Sequence, residues 1–155
     1  MRLALFQPDI PQNLGAALRL TACLAVPLDV IEPCGFPLSD KALKRTAMDY
    51  GAAAEVHRHA SWTEFLNAEA RLQGRLLLFT TGGDRPFHQF AFQPGDTLLF
   101  GRKSAGAPAE VHAAADARLL IPIKAETRSL NLVTSAALAL GCALTQVKGF
   151  PSPPG

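Results

Sequence analysis

The sequence predicts an α/β protein built on a mostly parallel sheet with helices on both faces. Short β-rich apolar runs recur between helical patterns, which is the alternation that makes a parallel sheet. Each run is nearly continuous rather than alternating, as expected for strands covered on both faces. The 155 residues, 48% of them hydrophobic, suffice for one core and are too few for two ordinary ones.

Along the chain, "RLALF" (2–6) reads as the first strand. It opens like a leader, but Gln7, Pro8 and Asp9 stop the apolar run, so no secretory leader is expected. The helix expected over 13–26, "NLGAALRLTACLAV", takes Asn13 as N-cap, sets Leu14, Leu18, Ala22 and Ala25 on one buried stripe, and leaves Arg19 off it. Further strands are expected at 28–33, 53–58, 75–81, 97–101 and 118–123, with helices at 39–48, 61–71, 108–115 and 131–147. The last helix carries Leu132, Ala136, Leu140 and Leu144 at four-residue steps among Ala137, Ala139, Gly141 and Ala143. A helix apolar on most sides must be buried, and a second copy of the chain is a natural cover. The tail "GFPSPPG" can be neither helix nor central strand, because proline lacks the donor. Residues 1–150 are therefore expected to form one domain and 151–155 a frayed, Pro-rich end.

Several chemistries lack their residues. The net charge of +2 permits a nucleic-acid partner without requiring one. Cys23, Cys34 and Cys142 are odd in number and show no C-x-x-C spacing, which suits a reducing cytoplasm; no apolar span is long enough for a membrane. "GRKSAG" has two glycines of a phosphate-binding loop but Ala107-Pro108 where Lys-Ser/Thr is required. "QPDIPQNLG" after the first strand is no dinucleotide fingerprint. His57 and His59 flank Arg58 on one strand face without a third ligand, so they read as satisfied groups and no metal is expected. No G-x-S-x-G elbow is present, and Cys23 in an apolar helix reads as a small buried thiol. Three polar clusters remain, "PQNLGAALR", "FGRKSAGAP" and "IPIKAETRSLNL", each at the C-terminal end of a strand, where open α/β sheets bind ligands.

In that order and spacing the clusters resemble the three signature motifs of the SpoU/TrmH family, in the SPOUT superfamily of knotted methyltransferases. Asn13, Gly15 and Arg19 match N-x-G-N-x-x-R; Phe100, Gly101, Gly106 and Pro108 match F-G-x-E-x-x-G-(x)-P; Ile121, Pro122, Ile123, Ser129, Leu130, Asn131 and Leu132 match the third. The segment "IEPCGFPLSDKALKRTAMDY" (31–50) resembles the single-domain, TrmL-like branch. The resemblance implies a deep trefoil knot in the C-terminal third, S-adenosylmethionine as cofactor, and a homodimer. It implies methylation of the ribose 2′-hydroxyl at the wobble nucleotide, cytidine or uridine 34, of leucine tRNAs.

By motif position Phe79, Gly101, Ile121, Ser129 and Leu130 would contact the cofactor, while Arg19, Asn13, Asn131 and Lys103 would serve the reaction. A guanidinium with a pKa above ~12 is a poor base, so Arg19 is expected to hold the 2′-oxygen and stabilise developing charge. Lys41, Lys44, Arg45 and Arg58 are candidates for a basic surface, with Lys124 and Arg128 beside the pocket; a solvated face is the competing reading. The pattern is broken by Ala16, Val133 and Gly141, and above all by Lys103, where the family has glutamate. That lysine leaves three readings open: a phosphate contact, a desolvated base, or a catalytically impaired paralogue that keeps the cofactor slot.

Overall fold

Leucine-rich runs of four or five residues are too short to be helices with a buried stripe and long enough to cross a sheet, and the computed structural model places them so. It describes residues 1–48, 55–102 and 105–154. The strands are β1 (Arg2–Phe6), β2 (Leu28–Ile31), β3 (Val56–His59), β4 (Leu76–Phe79), β5 (Arg85–Pro86), β6 (Thr97–Phe100) and β7 (Ala117–Leu120). They form one sheet in the order β3-β2-β1-β6-β4-β7-β5, with every pair parallel. The helices are α1 (Pro11–Leu24), α2 (Asp40–Met48), α3 (Trp62–Leu66), α4 (Glu69–Leu72), α5 (Ala109–Ala114) and α6 (Leu132–Val147).

The period-2 geometry of the strands splits their side chains between two cores. Leu3, Leu5, Leu28, Val30, Leu77, Leu98 and Leu119 face α1, α2 and α6. Ala4, Phe6, Ile31, Leu76, Leu78 and Leu99 face Trp62 and Phe65 of α3 and Val111 of α5. Within the second layer the buried Asp29 is held by Arg2, at 2.9 and 3.0 Å, and by His59 at 2.8 Å. His57 bonds Glu55 at 2.9 Å, so both histidines have partners.

The sequence boundaries shift where local chemistry overrides the apolar pattern. α1 begins at Pro11, two residues before the expected cap, because proline at the first helical position needs no N–H partner and has its φ preset. Asn13 is therefore no cap; Ile10 holds that position without a side-chain bond. The helix expected at 61–71 is broken at Asn67, which folds its amide back onto Thr63 O at 3.0 Å, and becomes α3 and α4. Cys23 lies exposed on α1, not buried. β3 begins at Val56; residues 53 and 54 of the expected strand lie outside the described residues. β5 and a 3₁₀ turn at Phe87–Gln89 have no counterpart in the sequence expectation.

β7 lies between β4 and β5, so the 80–84 connection must cross the course of the chain leaving β7. Thr80 and Asp84 donate backbone bonds to Leu119 O and Arg118 O at 2.9 and 3.2 Å. A Cβ on Gly83 would stand 2.5 Å from the Leu119 carbonyl carbon, so only glycine admits this crossing. Threading of this kind fits the C-terminal knot that the resemblance implies.

Candidate active site

The sheet order brings the C-terminal ends of β1, β6, β4 and β7 side by side, and their following loops meet there. Phe79 and Phe100, paired in register on β4 and β6, stack with centroids 4.8 Å apart and planes 11° apart. They form part of an open cleft of about 230 Å³ whose other walls come from Ile121, Ile123, Leu130 and Leu132. Hydroxyls of Thr80, Thr81, Ser129 and Ser135 and the backbone of Gly101, Gly106 and Ala107 complete the lining, and Arg102 is its one charged side chain among the described residues. Phe79, Gly101, Ile121, Ser129 and Leu130, the five residues expected to meet a cofactor, all line this cleft.

Gly101 is required by the path of its own loop. A Cβ there would stand 2.6 Å from the carbonyl carbon of Gly106 and 2.8 Å from the nitrogen of Ala107. Its missing side chain admits the returning backbone of its own loop, which then presents a smooth wall to the cleft. Gly106 makes that return possible with φ of 67°.

α6 begins at this site. Asn131 is its N-cap, accepting from Val133 N at 2.9 Å and Thr134 N at 3.2 Å through Oδ1. Its Nδ2 donates to Asn13 Oδ1 at 3.3 Å, tying the first turn of α1 to the start of α6 across 118 residues of sequence. Asn13 also lines a small cavity with Pro8, Asp9, Ile10, Gly101, Arg102 and Leu132, adjoining the main cleft. The asparagines thus come together at one place.

Arg19 does not join them. It is exposed on α1, about 9 Å of rise and about 120° round the helix from Asn13, and it lines neither cavity. Lys103 lies outside the described residues. Arg128 and Lys124 are exposed on the loop between β7 and α6, and Lys41 and Arg45 are exposed on α2; nothing is described of the Lys44 side chain.

Arg58 leaves the basic surface. Its guanidinium bonds Glu32 at 2.6 and 3.1 Å, Asp40 at 2.7 Å and Leu38 O at 3.2 Å, and those carboxylates raise its pKa further. The side chain ties β3 to the 32–40 segment and to the start of α2. Burial, then Glu32, pushes the nearby Cys34 thiol up to about 11, which makes it an inert thiol at neutral pH. Among the described residues no group of three His, Cys, Asp or Glu side chains could hold a metal, and no helix is long and apolar enough to cross a membrane.

Sequence reasoning passed over Thr80, Thr81, Ser135 and Arg102. The threonines follow an apolar run at a strand's C-terminal end, the same signal that marked the other clusters. Arg102 was legible only as an ordinary loop cation, because its partners come from the far end of the chain.

Fold and cleft together define a parallel α/β protein with an open cleft at the C-terminal strand ends, beside a chain crossing. The SpoU rRNA Methylase family model matches residues 1–141, and the chain belongs to that family. A tRNA (cytidine(34)-2′-O)-methyltransferase of Beijerinckia indica is 50% identical over 145 residues, covering 94% of this chain and 91% of that protein. A structure solved in work on 2-OH methylation of C/U34 on tRNA is 40% identical, with TM-score 0.84 over 96% of each chain. The SpoU methyltransferase AviRb of Streptomyces viridochromogenes, in complex with AdoMet, superposes with TM-score 0.80 at 24% identity, over 94% of this chain and 60% of that one, and is a likeness of fold.

Proposed function

We propose that this protein transfers a methyl group from S-adenosylmethionine to the ribose 2′-oxygen of nucleotide 34 in tRNA, with leucine tRNAs as substrates, working as a cytoplasmic homodimer. The observation that carries this reading is that the second and third motif clusters line one cleft, with Asn13 of the first cluster bonded to Asn131 beside it. Relatives that span nearly the whole chain and bear the cytidine-34 activity in their names supply the substrate.

The cleft suits the cofactor. An adenosine group needs an apolar slot with a few donors and acceptors, and the lining offers two stacked phenylalanines, aliphatic walls, hydroxyls and exposed backbone. Phe79, Gly101, Ile121, Ser129 and Leu130 would hold it. When bound, the sulfonium supplies an activated methyl group.

The chain's own residues then have two tasks. Asn13 and Asn131 join the start of α1 to the start of α6 beside the cleft, which would orient the edge that meets the ribose. Arg19 holds the 2′-oxygen and the neighbouring phosphate, stabilising negative charge as the proton leaves to phosphate or water. Since Arg19 lies away from the cleft of its own chain, a second copy is the natural recipient of its side chain. α1 and α6 pack side by side, and their outer faces present Ala16, Arg19, Cys23 and Leu138, with open space beside Gly141. Such a face of small and apolar groups is suited to a second copy. Three unpaired cysteines agree with a reducing compartment.

Calorimetry with S-adenosylmethionine and nucleoside analysis of tRNA after incubation test this together. Cofactor binding with a new 2′-O-methylated pyrimidine is expected. Binding without methyl transfer would favour the impaired paralogue that Lys103 raises, and no binding would remove the methyltransferase reading.

A further inference from the structure

A side-chain bond between Gln7 and Arg102 joins the loop after β1 (7–10) to the loop after β6 (101–108), and both of its residues are held in unusual settings. Gln7 ends β1 with φ of 44°, a left-handed conformation that a residue with a Cβ adopts at a cost. Its N–H donates to Ile31 O at 2.8 Å, which holds that backbone on β2, and its side-chain oxygen accepts from Arg102 Nη2.

Arg102 is gripped from both ends. Its N–H donates to Gly106 O at 3.0 Å and its carbonyl accepts from Gly106 N at 2.8 Å, so the two residues pair back to back across the loop. Its guanidinium lies 5.8 Å from the centroid of the buried Phe6 ring. Among the described residues no carboxylate pairs with it, and its Nε is buried without a partner. A guanidinium set on a neutral amide and a ring face gains little from charge pairing; what the arrangement fixes is distance. Arg102 also lines both the main cleft and the small cavity that ends at Asn13.

We propose that Gln7 and Arg102 are positioning residues, a clamp that sets the loop pinned at Arg102 and Gly106 against the start of α1. The cofactor side of the cleft and the groups around Asn13 are thereby registered on one ribose. The clamp rests on the methyl-transfer reading, and its test includes a readout that does not.

Turnover at saturating S-adenosylmethionine and tRNA, KM for tRNA, and hydrogen exchange at the Gly106 amide are measured for wild type and variants. Gln7→Leu and Arg102→Met should each lower kcat about tenfold or more, since misplacement of about 1 Å is that costly. KM should stay within about threefold, and the double variant should be no worse than the poorer single within about twofold, as for residues acting through one contact. Gln7→Asn suits a positive φ but is one methylene short, so it should lose turnover like Gln7→Leu. Gln7→Glu keeps an acceptor at full reach and should retain activity. Gly106 exchange should speed up in the Leu, Asn and Met variants and not in Gln7→Glu. Full turnover in Gln7→Leu and Gln7→Asn, or additive losses in the double variant, would overturn the clamp. If wild type transfers no methyl group, the methyl-transfer reading fails by itself, and unchanged Gly106 exchange would then overturn the clamp as well.

Discussion

Glycine 101 shows how a single missing methyl group shapes the cleft wall. Its α-hydrogen faces the backbone of Gly106 and Ala107, so Gly101→Ala forces two main-chain segments apart. Overpacking of this kind costs about 1–3 kcal/mol; spent against the bound state, that would weaken cofactor binding by roughly 5- to 150-fold. Calorimetry with S-adenosylmethionine checks this; unchanged affinity would mean that the wall of the cleft does not depend on the returning loop. The residue was legible in the sequence as a motif glycine, but its cause was not, because the atoms it avoids belong to a turn whose path no local pattern reports. Asn13 is a similar case. The motif marked it, the helix-cap rule misread it, and Pro11 decided the helix start.

At the scale of elements, the strands and most helices were readable because each is a short apolar run bounded by Gly, Pro or polar residues. The exceptions are local. A side chain folding back at Asn67 split one helix, and the two-residue β5 is too short to carry any periodic signal. Charge was harder to read than pattern. Arg58 stands beside the basic helix α2 in space and looked like part of an RNA surface, yet Glu32 and Asp40 already occupy its guanidinium. Arg58→Ala should therefore cost about 1–2 kcal/mol of stability, the scale of a partly buried charged hydrogen bond. It should leave the salt dependence of tRNA binding unchanged, because no phosphate contact is lost. Urea denaturation and binding titrations at two salt concentrations check both parts; a flatter salt slope would return Arg58 to the RNA surface.

The whole molecule poses a question of reach. The cleft gathers residues from the ends of β4, β6 and β7, while Arg19 is exposed on α1 and lines no part of it; in the proposed dimer a second copy docked on α1 and α6 would bring it to a cleft. Mixing Arg19→Ala chains with Gly101→Ala chains should give heterodimers with one intact site each. At an S-adenosylmethionine concentration too low to fill the Gly101→Ala cleft, random pairing predicts recovery of roughly a quarter of wild-type activity from two impaired parents. No recovery would place Arg19 in its own chain's cleft or outside the reaction. The α/β class and the three clusters were legible in the sequence because both are written in local runs. The chain crossing at Gly83 and the Gln7–Arg102 contact were not, since each depends on residues far apart in sequence. The most direct test of the account is to incubate the protein with S-adenosylmethionine and leucine tRNA and map ribose methylation along the tRNA. A single new 2′-O-methyl group at nucleotide 34 is predicted, and methylation at another position, or none, would contradict it.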